Sequence, residues 1–480
     1  MRYSAMATVA GTDQASNRCP GKANVARGAS VHRRVNHLTS VIVCAAFVLL
    51  GACSDNNDND GGNASNVTQD FAVGATSMTF IDESRPTAAH GPVAEGATRT
   101  LVTTIIYPAK GTPGGGVIVE APVYKKAAPY PLIVLSHGLG GSIDYLLPLA
   151  EVWASRGYVV ALPRFPLTSN ETQGGPVAQD VQNQPADVSF VIDQLLAVSD
   201  SSGQLLSKSI DAEEIAASGH SNGGITTFGL VAHSCCRDGR IDAAIVLSGA
   251  ASPFAGGEYD LTDTAPMFVV QGVNDLLVNY NQVVRTYNLL EPPKGLLSLE
   301  ASSHGSYLAP DDPAFNVLAQ VSVDFLDGML RGDSAALERL PEQQVPGVAT
   351  TYWAPDDASN VIVATLPEPE TNRQAFLSAD SGLTDGQVIT VTWSGFLPGK
   401  VVNIMQCNGD GTGGSAACNI SGGKILQPDP EGMGSLDLVI RTGPIGNGVC
   451  DSANPCIVLV NDASLTDEEA MIRIPIYLAD

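Results

Sequence analysis

Ile215-Ala216-Ala217-Ser218-Gly219-His220-Ser221-Asn222-Gly223-Gly224 decides how this chain is read. A short apolar run ends in Gly219-His220-Ser221-Asn222-Gly223, which fits G-x-S-x-G, and a helix is predicted from 225 to 232. The spacing has a steric cause. A sharp turn between strand and helix holds the serine in a strained conformation, and small residues two before and two after it let the two elements cross closely. The hydroxyl then stands at a helix N-terminus, where free backbone N–H groups can meet an oxyanion. The pentapeptide alone is also compatible with a plain Gly-Ser-Gly turn, so the reading depends on its surroundings.

Those surroundings alternate strands and helices over 71–340, as a doubly wound α/β sheet does. Residues 101–107 and 117–123 are predicted as opening antiparallel strands. Residues 132–136 are a buried strand that runs into His137-Gly138-Leu139-Gly140-Gly141. A helix over 143–155, a strand over 158–162, a Gly/Pro-rich loop over 163–184 and a helix over 186–197 precede the elbow. Strands at 241–247, 266–271 and 296–300 and a closing helix over 315–330 follow it.

His137-Gly138-Leu139-Gly140, the Ser221 pentapeptide, Asp275 and Ser303-His304-Gly305 follow one another in this order, and the domain resembles the α/β-hydrolases. The segment 136–163 resembles, within that superfamily, platelet-activating-factor acetylhydrolases, chlorophyllases and cutinase-like polyester hydrolases. The resemblance implies Ser221 as nucleophile, His304 as the base that takes its proton and returns it to the leaving group, and Asp275 as the group that orients the imidazole. It implies an oxyanion hole from the N–H groups of Leu139 and Asn222, each donor worth about 3 kcal/mol, with His137 and Gly138 supporting that loop. Such chemistry calls for no metal and no organic cofactor. His137 precedes the serine on the oxyanion loop, His220 is too near along the chain to reach back to Ser221, and His233 reads as a helix-terminal residue. Asp242 and Asp263 are the other candidates for the acid. The acetylhydrolases carry their acid after the strand that ends near Ser248, where this chain has Ser248-Gly249-Ala250, so phospholipid specificity is not carried over. The absence of a large helical insertion implies an open site, with Arg164 and Phe165 of the 163–184 loop as one wall. Expected substrates are lipid, polyester or small acyl esters. The rival functions are an inactive hydrolase-fold binding protein and a peptidase or acyltransferase with the same triad.

The ends of the chain address compartment. Arg33 and Arg34 precede the apolar run 41–50, about the length of a signal-peptide core and short for a membrane span. Leu50-Gly51-Ala52-Cys53 resembles the lipobox of bacterial lipoproteins, which implies removal of 1–52, a lipid on Cys53, and an exported protein held to a membrane and facing away from the cytoplasm. An ordinary signal peptide or membrane anchor is the plainer alternative. Residues 53–70 are polar and low in complexity, a tether with nothing to bury. Of 25 Lys/Arg and 50 Asp/Glu, six basic residues and one acidic residue lie in 1–52, leaving 19 against 49 and a net charge of −30. That balance argues against nucleic acid as a partner. Beyond Cys53 six cysteines remain, an even number that suits an oxidising compartment. Cys235 and Cys236 are expected as two thiols, although a vicinal disulfide is open to them.

Residues 341–378 are expected to be a linker with one added strand at 361–364. From 379 to 480 the pattern turns to short strands of period two, such as 388–393 and 435–440, separated by turn clusters at 397–400 and 407–414, as in a β-sandwich. Gly382-Leu383-Thr384-Asp385-Gly386-Gln387-Val388, Gly395-Phe396-Leu397-Pro398-Gly399, Gln406-Cys407, Cys418-Asn419, Cys450 and Cys456 resemble the neocarzinostatin-type apoprotein domain. That resemblance implies an immunoglobulin-like sandwich with Cys407–Cys418 and Cys450–Cys456 disulfides. No ligand residues match one by one, so an accessory role in binding, spacing or stabilisation is expected.

Overall fold

The computed structural model describes residues 70–479, except 91–92, 253–255, 367–371, 397–401, 410, 412–416, 420–421, 427–428, 447 and 462–470. The expected signal segment, Cys53, the tether as far as residue 69 and the turn at 397–400 lie outside the described residues.

Strands β1 (Ala72–Asp82), β2 (Arg99–Ala109) and β3 (Val117–Val119) open the chain, followed by β4 (Tyr130–Ser136), α1 (Leu147–Ser155) and β5 (Val159–Arg164). Then come α2 (Gln184–Asp200), β6 (Ile210–His220), α3 (Asn222–Ala232), β7 (Ala243–Leu247), β8 (Met267–Gly272), α4 (Tyr280–Leu289) and β9 (Lys294–Leu299). Helices α5 (Pro313–Arg331) and α6 (Ser334–Arg339) and strands β10 (Gln344–Val345) and β11 (Ala349–Ala354) close this region. All eleven strands form one sheet in the order β10-β11-β9-β8-β7-β6-β4-β5-β2-β1-β3. The six central strands, β5 to β9 with β4 among them, are parallel, and β1, β2 and β11 join antiparallel.

The central strands are apolar throughout because both faces are covered. Successive side chains point to opposite faces. Leu132 and Val134 of β4 join a core with α2, α3 and α4 residues such as Val191, Phe228 and Val284. Ile133 and Leu135 join a second core with Trp153 of α1 and Leu318 and Phe325 of α5. The order β6-β4-β5 means that the chain leaves β4 for one neighbour and returns on the other side, a switch point where a crevice opens at the carboxyl ends of the strands.

Several expectations at the edges need correction. β1 was not anticipated, yet it pairs with β2 along its whole length. The strand expected at 117–123 is only Val117–Val119, exposed and parallel to β1. Residues 344–354, expected in a linker, are two strands, and β11 pairs with β9 from Ala349 to Ala354. Residues 361–364 form no strand; Val363 and Leu366 are held along α4 by Asn288 and Asn281 instead.

The C-terminal region is all β. β12 (Gln374–Leu377), β13 (Val388–Ser394), β14 (Val402–Asn408), β15 (Lys424–Leu426), β16 (Gly434–Val439), β17 (Gly443–Ile445), β18 (Gly448–Cys450), β19 (Cys456–Asn461) and β20 (Met471–Ile476) follow in order. Sheets β12-β13-β16 and β15-β14-β19-β20 enclose a core of Ile389, Val391, Trp393, Ile404, Val458 and Ile476, beside the hairpin β17-β18. Disulfides join Cys407 to Cys418 and Cys450 to Cys456. A third joins Cys235 to Cys236, correcting the expectation of two thiols; the residues lie in a turn just after α3, beside the His233 ring.

Candidate active site

Ser221 directly follows β6 and caps α3 with φ 57° and ψ −117°, a strained conformation for a residue with a side chain. Both flanking glycines are required by the crossing. A Cβ on Gly219 would lie 2.1 Å from the Gly223 carbonyl oxygen, and one on Gly223 would lie 2.2 Å from that of Ser136. Strand β6, helix α3 and the end of β4 therefore pass closer than any larger residue allows.

Three loops at the carboxyl ends of the strands bring distant residues to this turn. The Ser221 Oγ lies 2.8 Å from His304 Nε2, which follows β9. His304 Nδ1 lies 2.9 and 3.1 Å from the Asp275 carboxylate oxygens, just after β8. Asp275 is buried and also accepts N–H bonds from Leu277 at 2.8 Å and Val278 at 2.9 Å. Gln271 Nε2 donates to its other oxygen at 3.0 Å. Burial works against the charge of Asp275, but the bond to His304, the charge His304 carries when protonated and the two backbone donors outweigh it, so the carboxyl titrates below its ordinary range. With the acceptor-only carboxylate on Nδ1, Nδ1 carries the hydrogen and Nε2 presents its lone pair to the Ser221 hydroxyl. That is the protonation pattern a general base needs.

The other acids are elsewhere. Asp242 accepts from the Ile215 N–H at 3.0 Å, near the start of the parallel part of β6, and Asp263 pairs with Arg237 on the surface. Ser248, where the acetylhydrolases carry their acid, receives a hydrogen bond from the buried Tyr307 hydroxyl at 2.9 Å.

The loop after β4 lies against the serine: a Cβ on Gly138 would meet the Ser221 Cβ at 3.1 Å. The Gly138 N–H is occupied by the Tyr145 hydroxyl at 2.7 Å. The N–H groups of Leu139 and Asn222 have no acceptor among the described residues, as donors waiting for an oxyanion would. His137 is fully buried. Its Nδ1 donates to the Gly138 carbonyl at 2.8 Å and its Nε2 accepts from the Phe165 N–H at 3.2 Å, so it ties this loop to the segment after β5. Burial depresses its pKa and keeps it neutral. Gly140 N–H donates to Thr168 at 2.7 Å, fastening the two loops again.

Phe165 is therefore not a wall of an open site: it is buried with its ring 5.1 Å from that of His137. Arg164 pairs with Glu171 and stays partly exposed. His233 caps the end of α3 and packs edge-on to Tyr259 at 4.7 Å, away from the triad. With Cys235 and Cys236 it forms the group of metal-ligand atoms found among the described residues, but the two sulfurs are bonded to each other. Gln271 and Tyr145 are residues beside the serine and the acid that the motifs did not mark; His220, inside the elbow motif and read from sequence as structural, lies between Tyr145 and the His304 carbonyl.

Residues 376–475 match the neocarzinostatin family, so the C-terminal region is a neocarzinostatin-like domain. Among solved structures the chain is similar to a ferulic acid esterase from Streptomyces cinnamoneus, at 22% identity and TM-score 0.43, over 60% of this chain and 98% of that one. No curated protein matches the sequence.

Proposed function

We propose that this chain is an exported serine hydrolase of carboxylic esters, an α/β-hydrolase domain followed by a neocarzinostatin-like accessory domain. The reading is carried by one observation: the hydrogen-bonded series Ser221, His304, Asp275, set beside two unused N–H donors at a topological switch point. Ser221 attacks the ester carbonyl as His304 takes its proton; the oxyanion is met by Leu139 and Asn222. Collapse expels the alcohol, protonated by His304, and leaves an acyl-serine that water hydrolyses by the same steps. Asp275 stabilises the imidazolium formed in each half. The lipid on Cys53 would hold the enzyme to a membrane facing away from the cytoplasm, a location that suits the disulfides.

The test is hydrolysis of p-nitrophenyl esters from acetate to palmitate by the chain lacking residues 1–53, beside Ser221→Ala. Turnover by the parent, lost by at least about a thousandfold in Ser221→Ala, is the expected result. A parent inert on every ester would instead favour a binding protein, and equal cleavage of matched amides would favour a peptidase.

A further inference from the structure

We propose that His220 and Tyr145 form a hydrogen-bonded brace that sets the main chain of His304 against the oxyanion loop, and that both are positioning residues for acyl transfer at Ser221. The proposal rests on the serine-hydrolase reading above.

The brace runs through three bonds whose polarity is fixed at every link. The His220 Nε2 lies 2.5 Å from the His304 carbonyl oxygen. A carbonyl only accepts, so Nε2 carries the hydrogen and Nδ1 presents a lone pair. The Tyr145 hydroxyl, 3.2 Å from Nδ1, therefore donates to it. The same oxygen accepts the Gly138 N–H at 2.7 Å. Donation thus passes in one direction from the oxyanion loop, through Tyr145 and His220, to the residue that acts as base. Gly138 is the neighbour of Leu139, whose N–H is left unused, so the brace spends the one N–H and leaves the next for substrate.

Packing supports the same link. The His220 ring lies 4.9 Å from the His304 ring and 5.4 Å from that of Tyr145. Gly305 rests on it closely enough that a Cβ there would be 3.3 Å from Nε2. His220 is 7% exposed and belongs to the elbow itself, so it moves with Ser221. The His304 loop and the Leu139 loop are otherwise separate segments. Their spacing decides whether base, nucleophile and oxyanion donors meet one substrate carbonyl, and errors near 1 Å in such geometry cost on the order of a hundredfold in rate.

The test uses the chain lacking residues 1–53 and the variants His220→Ala, His220→Gln, His220→Asn, Tyr145→Phe and the double variant Tyr145→Phe/His220→Ala. Readouts are kcat and KM on p-nitrophenyl butyrate, the rate of fluorophosphonate labelling, and the melting temperature. His220→Ala should lower kcat by about 10- to 100-fold with KM within about twofold. Gln places an amide N–H near the former Nε2 and should recover about tenfold of that loss; Asn, which mimics Nδ1, should recover less. Tyr145→Phe should add little to His220→Ala, since both break one chain. If His220→Ala and Tyr145→Phe melt lower yet keep kcat and labelling rate within about twofold, His220 is a core residue only and the brace is overturned while the hydrolase reading stands. If the parent neither hydrolyses nor labels, the hydrolase reading falls and takes the brace with it.

Discussion

His220 is neutral at a cost that depends on pH. Burial, and then the charge of the nearby His304, push its pKa from 6.5 down to about 3. Between those values the unfolded chain binds a proton that the native chain refuses. Stability therefore carries no penalty from this group above pH 6.5 and loses about 1.4 kcal/mol per pH unit as pH falls toward 3. Urea titrations from pH 6 to 4 should show a fall in stability that is shallower by about 1 kcal/mol per unit in His220→Gln. Asp275 acts lower on the scale: its folded pKa is below the ordinary 3.8, so its contribution is whole above that value and is lost as pH falls through the folded pKa. Ser221, Asp275 and His304 were legible because each lies within a few residues of the end of an apolar run, and the ends of parallel strands gather at one edge. The bonds of Tyr145 and His220 were not: they join residues 75 and 84 apart, and no motif pairs them as the triad residues are paired. Phe165 was misplaced for a similar reason: a Gly/Pro-rich loop suggests exposure, and only the fold lays its ring on His137.

The elbow is an element set by two glycines and not by the serine alone. Gly219→Ala or Gly223→Ala forces a Cβ into backbone at 2.1 or 2.2 Å, a clash that no rotamer relieves. Either variant should lose about 3 kcal/mol or more, or fail to fold, as read by thermal melting. The start of α2 is anchored differently. Arg99 of β2 is 1% exposed and makes paired bonds to Asp180, at 2.9 and 2.8 Å, and to Asp187, at 2.8 and 2.6 Å. Arg99→Leu would leave buried Asp180 with only the Asn183 amide and Asp187 with Arg85 as its one remaining cation, and should cost about 3 kcal/mol in denaturant melts. The central strands were legible because burial on both faces leaves an unbroken apolar run. β1 was not, because Gly74, Thr76 and Ser77 interrupt it. The reason for Gly74 lies in β2, since a Cβ there would meet the Tyr107 ring at 2.5 Å. Residues 344–354 read as a linker for want of a long apolar run, although β9 supplies their partner.

The whole molecule has separate cores in its α/β region and its sandwich, so two unfolding transitions are expected. The Cys407–Cys418 and Cys450–Cys456 links span 11 and 6 residues and fall in the sandwich. By loop closure each is worth roughly 2–3 kcal/mol. Calorimetry with a reductant should lower the sandwich transition while ester hydrolysis at 25 °C is kept. The sandwich was legible as a family through its two cysteine loops, and its strands through their period of two. Its role was not, because a fold does not name a ligand.

The most direct measurement is reaction of the chain lacking residues 1–53 with a fluorophosphonate, followed by peptide mapping of the adduct. The prediction is a single phosphonylated serine at Ser221, absent in Ser221→Ala and formed at least about a hundredfold more slowly in His304→Ala. No adduct on the folded protein, or an adduct on another serine with Ser221 unmodified, would contradict the assignment of Ser221 as an activated nucleophile.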